Sequence, residues 1–274
     1  MGNREPLLRR LAATEAAAAL ELSNEAGWNQ NENDWRRLFH LSPEGCLAIE
    51  VAGEVVATAT IVAYERRLAW IGMVLTRKAY RGRGFAKRMM NEVLRLADVA
   101  GIETVKLDAT DEGKPLYEKL GFRSEQAVER WECEKVAVAP VADPPTCFAA
   151  AVFSFDQFAF GANRSILLQS LAKSNPPVSL DQAYAMTRSG RVSEYLGPSV
   201  AESGETARRV ITSALACHAG RSCYWDLFPA NLIAVRLASE FDFVPKRRLT
   251  RMVRGQDLRQ NENQTYALAG FEFG

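Results

Sequence analysis

A turn rich in glycine and arginine is the segment of the chain best suited to bind an anion. Its residues are Tyr80, Arg81, Gly82, Arg83, Gly84, Phe85 and Ala86. Gly82 and Gly84 allow the main chain to turn tightly and to approach a ligand closely. The free N–H groups at the start of the amphipathic helix predicted over residues 85–99 then favour a pyrophosphate, and Arg81 and Arg83 add charge-assisted contacts. The alternative is that both arginines are solvated charges beside a helix cap.

This turn resembles the acyl-CoA motif of the GNAT acetyltransferases, which has an Arg or Gln, two residues, a Gly, one residue and then a Gly or Ala. Arg81, Gly84 and Ala86 fill those positions. The second signature of that family is a Leu-Tyr pair shortly before a Gly-Phe pair. Residues 116–117 and 121–122 match it, in the right order and at the right spacing.

The resemblance covers residues 7–136 and implies that acetyl-CoA is the co-substrate. In such proteins the strand before the turn splays from its neighbour, and its backbone pairs with the pantetheine arm of CoA. The resemblance assigns that role to residues 73–75, whose side chains matter less than their backbone. The expected CoA-binding residues are Met73, Val74, Leu75, Arg81, Gly82, Arg83, Gly84, Phe85 and Ala86.

Tyr117 is the candidate catalytic acid. Acetylation of an amine needs a free amine, stabilisation of the oxyanion that develops, and protonation of the departing thiolate. A phenol with a pKa of about 10 is still protonated at neutral pH and can supply that proton. The alternative is that Tyr117 only packs on the sheet.

Three carboxylates are candidates for the base: Glu50, Glu65 and Asp108. The family often works through a carboxylate or through ordered water, and nothing in the sequence decides between these. Asp108 ends a predicted strand beside the expected cleft, but a carboxylate at that place also suits the role of capping the following turn. The base is therefore left unassigned.

The acceptor in this fold usually meets the early helical region. In this chain Trp28 and Trp35 are expected to wall a pocket there, and Asn29 and Asp34 to bind an amine. Asp108 completes the expected acceptor-binding set. The alternative is that the two tryptophans anchor helices to the core.

The bulk composition is that of an ordinary globular protein, and the length predicts two domains. The chain has 274 residues and a net charge of +1, which disfavours binding to nucleic acid or to an anionic membrane. Five scattered cysteines indicate a reducing compartment, and a charged N-terminus without a long apolar run argues against a signal peptide or a spanning helix. His40 and His218 lack metal-ligand spacing, so no metal is expected. A cytoplasmic location is predicted.

The order of predicted strands and helices indicates an α/β (α+β) fold. The resemblance implies two GNAT-like domains, each a mixed, mostly antiparallel sheet flanked by helices. The first domain is expected over residues 1–138 and the second over residues 148–274. Residues 139–147 carry three prolines and no helical or alternating pattern, which suits a linker.

An internal repeat relates the two halves. Residues 195–197 correspond to 70–72, and Asp226 corresponds to Asp108. At the second turn, residues 201–206, there is no arginine, one glycine and two carboxylates, which would repel a pyrophosphate. The second half therefore resembles a GNAT-like domain that has lost its CoA site, a tandem arrangement found in bacterial members of the superfamily.

The function predicted from these features is transfer of an acetyl group from acetyl-CoA to a primary amine of a small molecule, at one active site per chain. Two alternatives remain open: a non-catalytic acyl-CoA-binding regulatory module, and a protein or peptide N-acetyltransferase. The oligomeric state is also open, with a homodimer as one alternative.

Overall fold

Strands and helices follow one another in two similar series along the described part of the chain. The computed structural model describes residues 5–139, 150–180 and 182–274, so the predicted linker lies outside the described residues except for its first one. The strands are β1 (Leu7–Arg10), β2 (Cys46–Val51), β3 (Glu54–Tyr64), β4 (Leu68–Thr76), β5 (Thr104–Ala109), β6 (Arg123–Cys133), β7 (Val178–Leu180), β8 (Ala183–Arg188), β9 (Glu194–Ala201), β10 (Cys223–Leu227), β11 (Val244–Gly255) and β12 (Thr265–Ala267). The helices are α1 (Ala16–Glu25), α2 (Glu32–Leu41), α3 (Phe85–Val99), α4 (Lys114–Lys119), α5 (Ala150–Phe160), α6 (Ser165–Ala172), α7 (Gly204–Ala216) and α8 (Leu232–Glu240).

All twelve strands belong to one continuous sheet. Its order is β1-β2-β3-β4-β5-β11-β6-β10-β9-β8-β7, and β12 pairs with β9. Only the β4–β5 and β9–β10 pairs are parallel, so the mixed, mostly antiparallel fold predicted from the sequence is confirmed. The strand order of the second half is the reverse of that of the first, and the central β11–β6 pair joins the two halves edge to edge.

The two halves exchange their last strands. Strand β11 belongs to the second half but pairs with β5 of the first half, while β6 of the first half pairs with β10 of the second. The exchanged strands also pair with each other along most of their length, from Val244 opposite Glu132 to Val253 opposite Arg123. Each half therefore completes the sheet of the other, and the two cannot be treated as independent units.

Equivalent ion pairs hold both exchanged strands in register. Asp108 of β5 and Arg251 of β11 lie directly opposite each other, with two contacts of 2.9 Å. At the symmetric position, Asp226 of β10 accepts two hydrogen bonds of 2.7 Å from Arg130 of β6. The predicted correspondence of Asp108 with Asp226 is thus seen in three dimensions.

Three apolar layers cover the faces of this sheet. Helix α3 packs on one face of the first half through Met89, Val93 and neighbouring side chains. Helices α7 and α8 cover the corresponding face of the second half. The remaining face carries a core shared by both halves, in which Trp35 and Trp70 lie with Phe160 and Phe273. No helix among the described residues is long and apolar enough to cross a membrane.

Candidate active site

A bulge in β4 opens the sheet where the turn begins. Thr60 pairs with Gly72 and Thr58 with Leu75, so Ala59 alone faces both Met73 and Val74. Met73 has φ of 49°, a left-handed conformation unusual for a side-chain-bearing residue. The extra residue increases the local twist, and β4 pairs with β5 only at Ala69 and Trp70.

Beyond Trp70 the two parallel strands diverge. The hydroxyl of Thr58 donates to the Met73 carbonyl at 2.9 Å and fixes the bulge from the β3 side. The backbone of residues 73–75 on the β5 side is consequently not engaged by a neighbouring strand. This is the splayed arrangement expected for these residues.

The glycine turn leaves the start of α3 open. Gly82 and Gly84 have φ of 76° and 78°, and no atom lies within 4 Å of where a side-chain carbon would stand on either. Gly84 caps α3 without any side-chain hydrogen bond, so the first amides of the helix remain available. Left-handed glycines before an uncapped helix form the amide cradle that an anionic phosphate group requires.

A cleft of about 810 Å³ runs from this turn to the region between the two halves. Its walls come from the α1–α2 connection, β4, the turn, the β5–α4 connection, the exchanged strands and residues 271–272. Of the expected CoA-binding residues, those that line the cleft are Met73, Val74, Leu75, Arg81, Gly82, Gly84, Phe85 and Ala86. Lys78 and Lys87 also line it, and both were missed from the sequence although Lys87 lies in the first turn of α3.

Arg83 departs from the expectation. It does not line the cleft: its guanidinium lies 4.9 Å from the centre of the Tyr80 ring and donates to the Ala79 carbonyl at 3.3 Å. Stacking on an aromatic ring is a common resting place for an exposed arginine. Its assignment as a CoA ligand stays a prediction, which the position of this side chain does not support.

Tyr117 lies on α4 and faces the cleft. Its ring packs edge-on against Phe122 at 6.2 Å, and its hydroxyl makes no hydrogen bond with any described residue. Burial raises the pKa of Tyr117 to about 12, because the phenolate would be poorly solvated there. The hydroxyl is thus protonated at neutral pH and free to hydrogen-bond with a ligand in the cleft.

The acceptor-binding expectations are corrected in part. Trp28 lines the cleft, but Trp35 is fully buried and donates to Ser23, so it anchors α2 to the core. Asn29 is buried, and its amide bonds to the backbone of Val192 and Ser193 across the boundary between the halves.

Asp34 is likewise committed to structure. Its carboxylate contacts Arg37 at 2.8 Å and Arg188 of the second half at 3.2 Å, and it is only 2% exposed. Asn29 and Asp34 therefore join the two halves, and this geometry argues against the expected contact of either with an amine.

None of the three candidate bases has a free carboxylate inside the cleft. Both oxygens of Asp108 are taken by Arg251, although its backbone borders the cleft. Glu50 accepts a hydrogen bond from Arg9 on the outer strands, and Glu65 lies in the exposed β3–β4 turn. None of these carboxylates is free to take a proton inside the cleft.

The second half supplies cleft residues that sequence reasoning missed. Arg247 and Leu249 come from β11, and Phe271 and Glu272 come from the segment after β12. This segment crosses β4: the Trp70 indole donates to the Phe271 carbonyl at 3.0 Å, and a side-chain carbon on Gly72 would meet Glu272 at 2.9 Å. The strand exchange brings Arg247 and Leu249 to the first half, and the chain end after β12 brings Phe271 and Glu272. No local sequence pattern signals either placement.

The equivalent opening in the second half is filled. There β12 pairs with the end of β9, and a side-chain carbon on Gly197 would lie 1.9 Å from the Leu268 carbonyl. Helix α7 is capped by the Ser203 side chain, which accepts from the Thr206 amide, and Glu205 occupies its first turn. This arrangement agrees with the predicted loss of a CoA site.

Comparison with known proteins identifies both halves. Residues 13–122 match the model of the acetyltransferase (GNAT) family, and residues 152–267 match a second model, described as an acetyltransferase (GNAT) domain. The chain belongs to the GNAT family. GNAT enzymes are acyl-CoA-dependent acetyltransferases that use acetyl-CoA as co-substrate, and this chain is one of them, with two GNAT domains in tandem.

Several similar proteins cover most or all of the chain. The chain is 27% identical over 222 residues to the uncharacterized N-acetyltransferase YitH of Bacillus subtilis, covering 75% of this chain and 76% of the relative. A putative acetyltransferase from Pyrococcus horikoshii has the same fold, with a TM-score of 0.87 at 20% identity over 100% of this chain and 98% of the other. A tandem GNAT protein from the clavulanic acid biosynthesis pathway aligns with a TM-score of 0.63 at 11% identity, covering 92% and 98% of the two chains.

Proposed function

We propose that this GNAT protein transfers the acetyl group of acetyl-CoA directly to a primary amine of a small molecule, with Tyr117 as the acid. The observation that supports this most strongly is that one cleft contains the open amide turn at one end and the unengaged Tyr117 hydroxyl in its wall. The second half walls the cleft beyond that point with β11 and residues 271–272. An enclosed acceptor end suits a small molecule better than a protein surface.

The open turn fits the CoA diphosphate, since its glycines lack steric obstruction and its helix start is uncapped. Bound acetyl-CoA would supply an activated thioester. The α3 amides, with Arg81 and Lys87, would hold the diphosphate, and the free backbone of residues 73–75 would align the pantetheine arm.

Tyr117 would then act on the leaving group. As the acceptor nitrogen bonds to the acetyl carbon and the C–S bond breaks, the Tyr117 hydroxyl gives its proton to the departing sulfur. The acceptor nitrogen loses one proton to water, and water restores the proton on Tyr117. Because burial raises the pKa of Tyr117 to about 12, its hydroxyl stays protonated across the physiological pH range and can donate the proton.

Amine-dependent release of the CoA thiol tests this function. The purified full-length protein is incubated with acetyl-CoA and a panel of amino acids, amino acid amides, phosphorylated and neutral amines, polyamines, aminoglycosides and peptides. We expect release above the amine-free background with small amines and a product heavier by one acetyl group. The proposal would be contradicted if peptides were the only amines that gave release, or if no amine of the panel raised release above the amine-free background.

The turn gives a separate test of CoA binding. Gly84→Asp puts a carboxylate at the start of α3, where it would repel the diphosphate, and should weaken acetyl-CoA binding about tenfold or more. Gly101→Asp is the matched control, because Gly101 also has positive φ and open space around it but follows the far end of α3. Isothermal titration of both variants measures the difference, and equal affinities would remove the turn from the CoA site.

A further inference from the structure

Arg247 is the arginine of the cleft that has no partner. Arg130 is bound by Asp226, and the third cleft arginine, Arg81, donates to the Thr76 carbonyl at 3.3 Å. Arg247 makes no hydrogen bond or ion pair with any described residue, and its side chain keeps an exposed surface. Partial desolvation of the guanidinium and the nearby charge of Arg130 lower the pKa of Arg247, while the charge of Asp226 acts in the opposite direction.

Arg247 stands at the acceptor end of the cleft. Residues 247, 249 and 251 alternate along β11 and therefore point to one face of the sheet. On that face Leu249 packs in a cluster with Phe271, and Arg251 lies 4.4 Å from the Trp70 ring. Arg247 shares the face with these residues and pairs in register with Arg130.

The other charges at this end cancel. Arg130 with Asp226, and Arg251 with Asp108, form closed pairs. The cluster behind Glu272 contains two arginines and two carboxylates, namely Arg37, Arg188, Asp34 and Glu272. Among the described cleft residues contributed by β5, β6, β11 and residues 271–272, Arg247 thus leaves one uncompensated positive charge. Glu25 and Glu112 line the cleft from the α1–α2 and β5–α4 connections.

We propose that the acetyl acceptor is a small amine that also carries an anionic group, a carboxylate or a phosphate, and that Arg247 binds this group. A planar guanidinium presents two parallel N–H donors that match either anion. The inference rests on the proposed function. It gives the second GNAT half, which contributes β11, a direct part in choosing the substrate.

Matched acceptors test the anion requirement. The full-length protein is assayed for thiol release with O-phosphoethanolamine against ethanolamine and with L-leucine against L-leucinamide, at saturating acetyl-CoA. In at least one pair we expect kcat/KM to be at least about tenfold higher for the amine with the anionic group than for the amine without it, since a charge-assisted contact provides about that much. The two pairs distinguish a phosphate from a carboxylate.

Substitution of Arg247 then locates the effect. Arg247→Ala should raise KM for the preferred anionic amine about tenfold or more, with KM for acetyl-CoA unchanged, and Arg247→Lys should restore part of the loss. Arg248→Ala is the control, because Arg248 is the next residue on β11 with a side chain that is 72% exposed and does not line the cleft.

The outcomes separate the two proposals. Two outcomes would overturn the anionic acceptor while leaving acetyl transfer standing. One is faster thiol release with amines that lack an anionic group, and the other is release that neither Arg247→Ala nor Arg248→Ala changes. No release with any amine of the wider panel would overturn acetyl transfer itself, and the acceptor inference with it.

Discussion

Replacing Tyr117 with phenylalanine should lower kcat about 100-fold or more while the affinity for acetyl-CoA stays the same. The substitution removes only the hydroxyl, and the ring keeps its edge-on contact with Phe122. Since the hydroxyl makes no hydrogen bond with any described residue, its loss leaves no buried group without a partner. Single-turnover rates and CoA titration of the variant measure the two quantities.

Tyr266→Phe is the matched control, because Tyr266 is buried in the core of the second half and does not line the cleft. The pH profile provides a second readout. In the proposed mechanism the protonated form of Tyr117 is the active one, and with a pKa raised to about 12 this form should be lost only as pH approaches that value. A wild-type kcat that falls by half between pH 7 and 10, or an unchanged kcat in Tyr117→Phe, would remove Tyr117 from the mechanism and favour a non-catalytic CoA-binding role.

Removing the carboxylate of Asp108 should lower the free energy of unfolding by about 3–5 kcal/mol. Asp108 and Arg251 are both fully buried, so Asp108→Ala leaves the Arg251 guanidinium without its counter-charge on an exchanged strand. Urea denaturation followed by circular dichroism measures the change. Because both halves share one sheet, we expect a single transition for the wild-type protein.

Asp98→Ala is the control for this result. Asp98 pairs with Arg254, three residues further along β11, but there the side chains are 56% and 32% exposed. An exposed pair of this kind contributes about 0–1 kcal/mol. Similar losses for the two variants would mean that the Asp108–Arg251 pair does not hold β11 in place.

Locally encoded features could be predicted from the sequence. Helix α3 was delimited at both ends, since apolar side chains recur at helical spacing between a glycine turn and a further turn. The glycine turn before α3 and the pairs at residues 116–117 and 121–122 were recognised from equally short-range patterns. These features depend on neighbours within a few residues.

The acceptor end could not be predicted, because it is assembled from distant segments. Nothing in residues 244–255 indicates that this strand lies between β5 and β6, since strand pairing is set by the whole fold rather than by the strand's own residues. For the same reason Asn29 and Asp34 looked free to bind an amine. Their partners, Ser193 and Arg188, come from the other half.

Because the strands are exchanged, neither half can be removed without disrupting the sheet of the other. A chain divided between the halves would expose β5 of the first half and β10 of the second as bare sheet edges, each beside a buried aspartate without its arginine. The half with the filled opening therefore stays necessary to the half with the open turn, because its strand β11 completes the sheet and contributes Arg247 and Leu249 to the cleft.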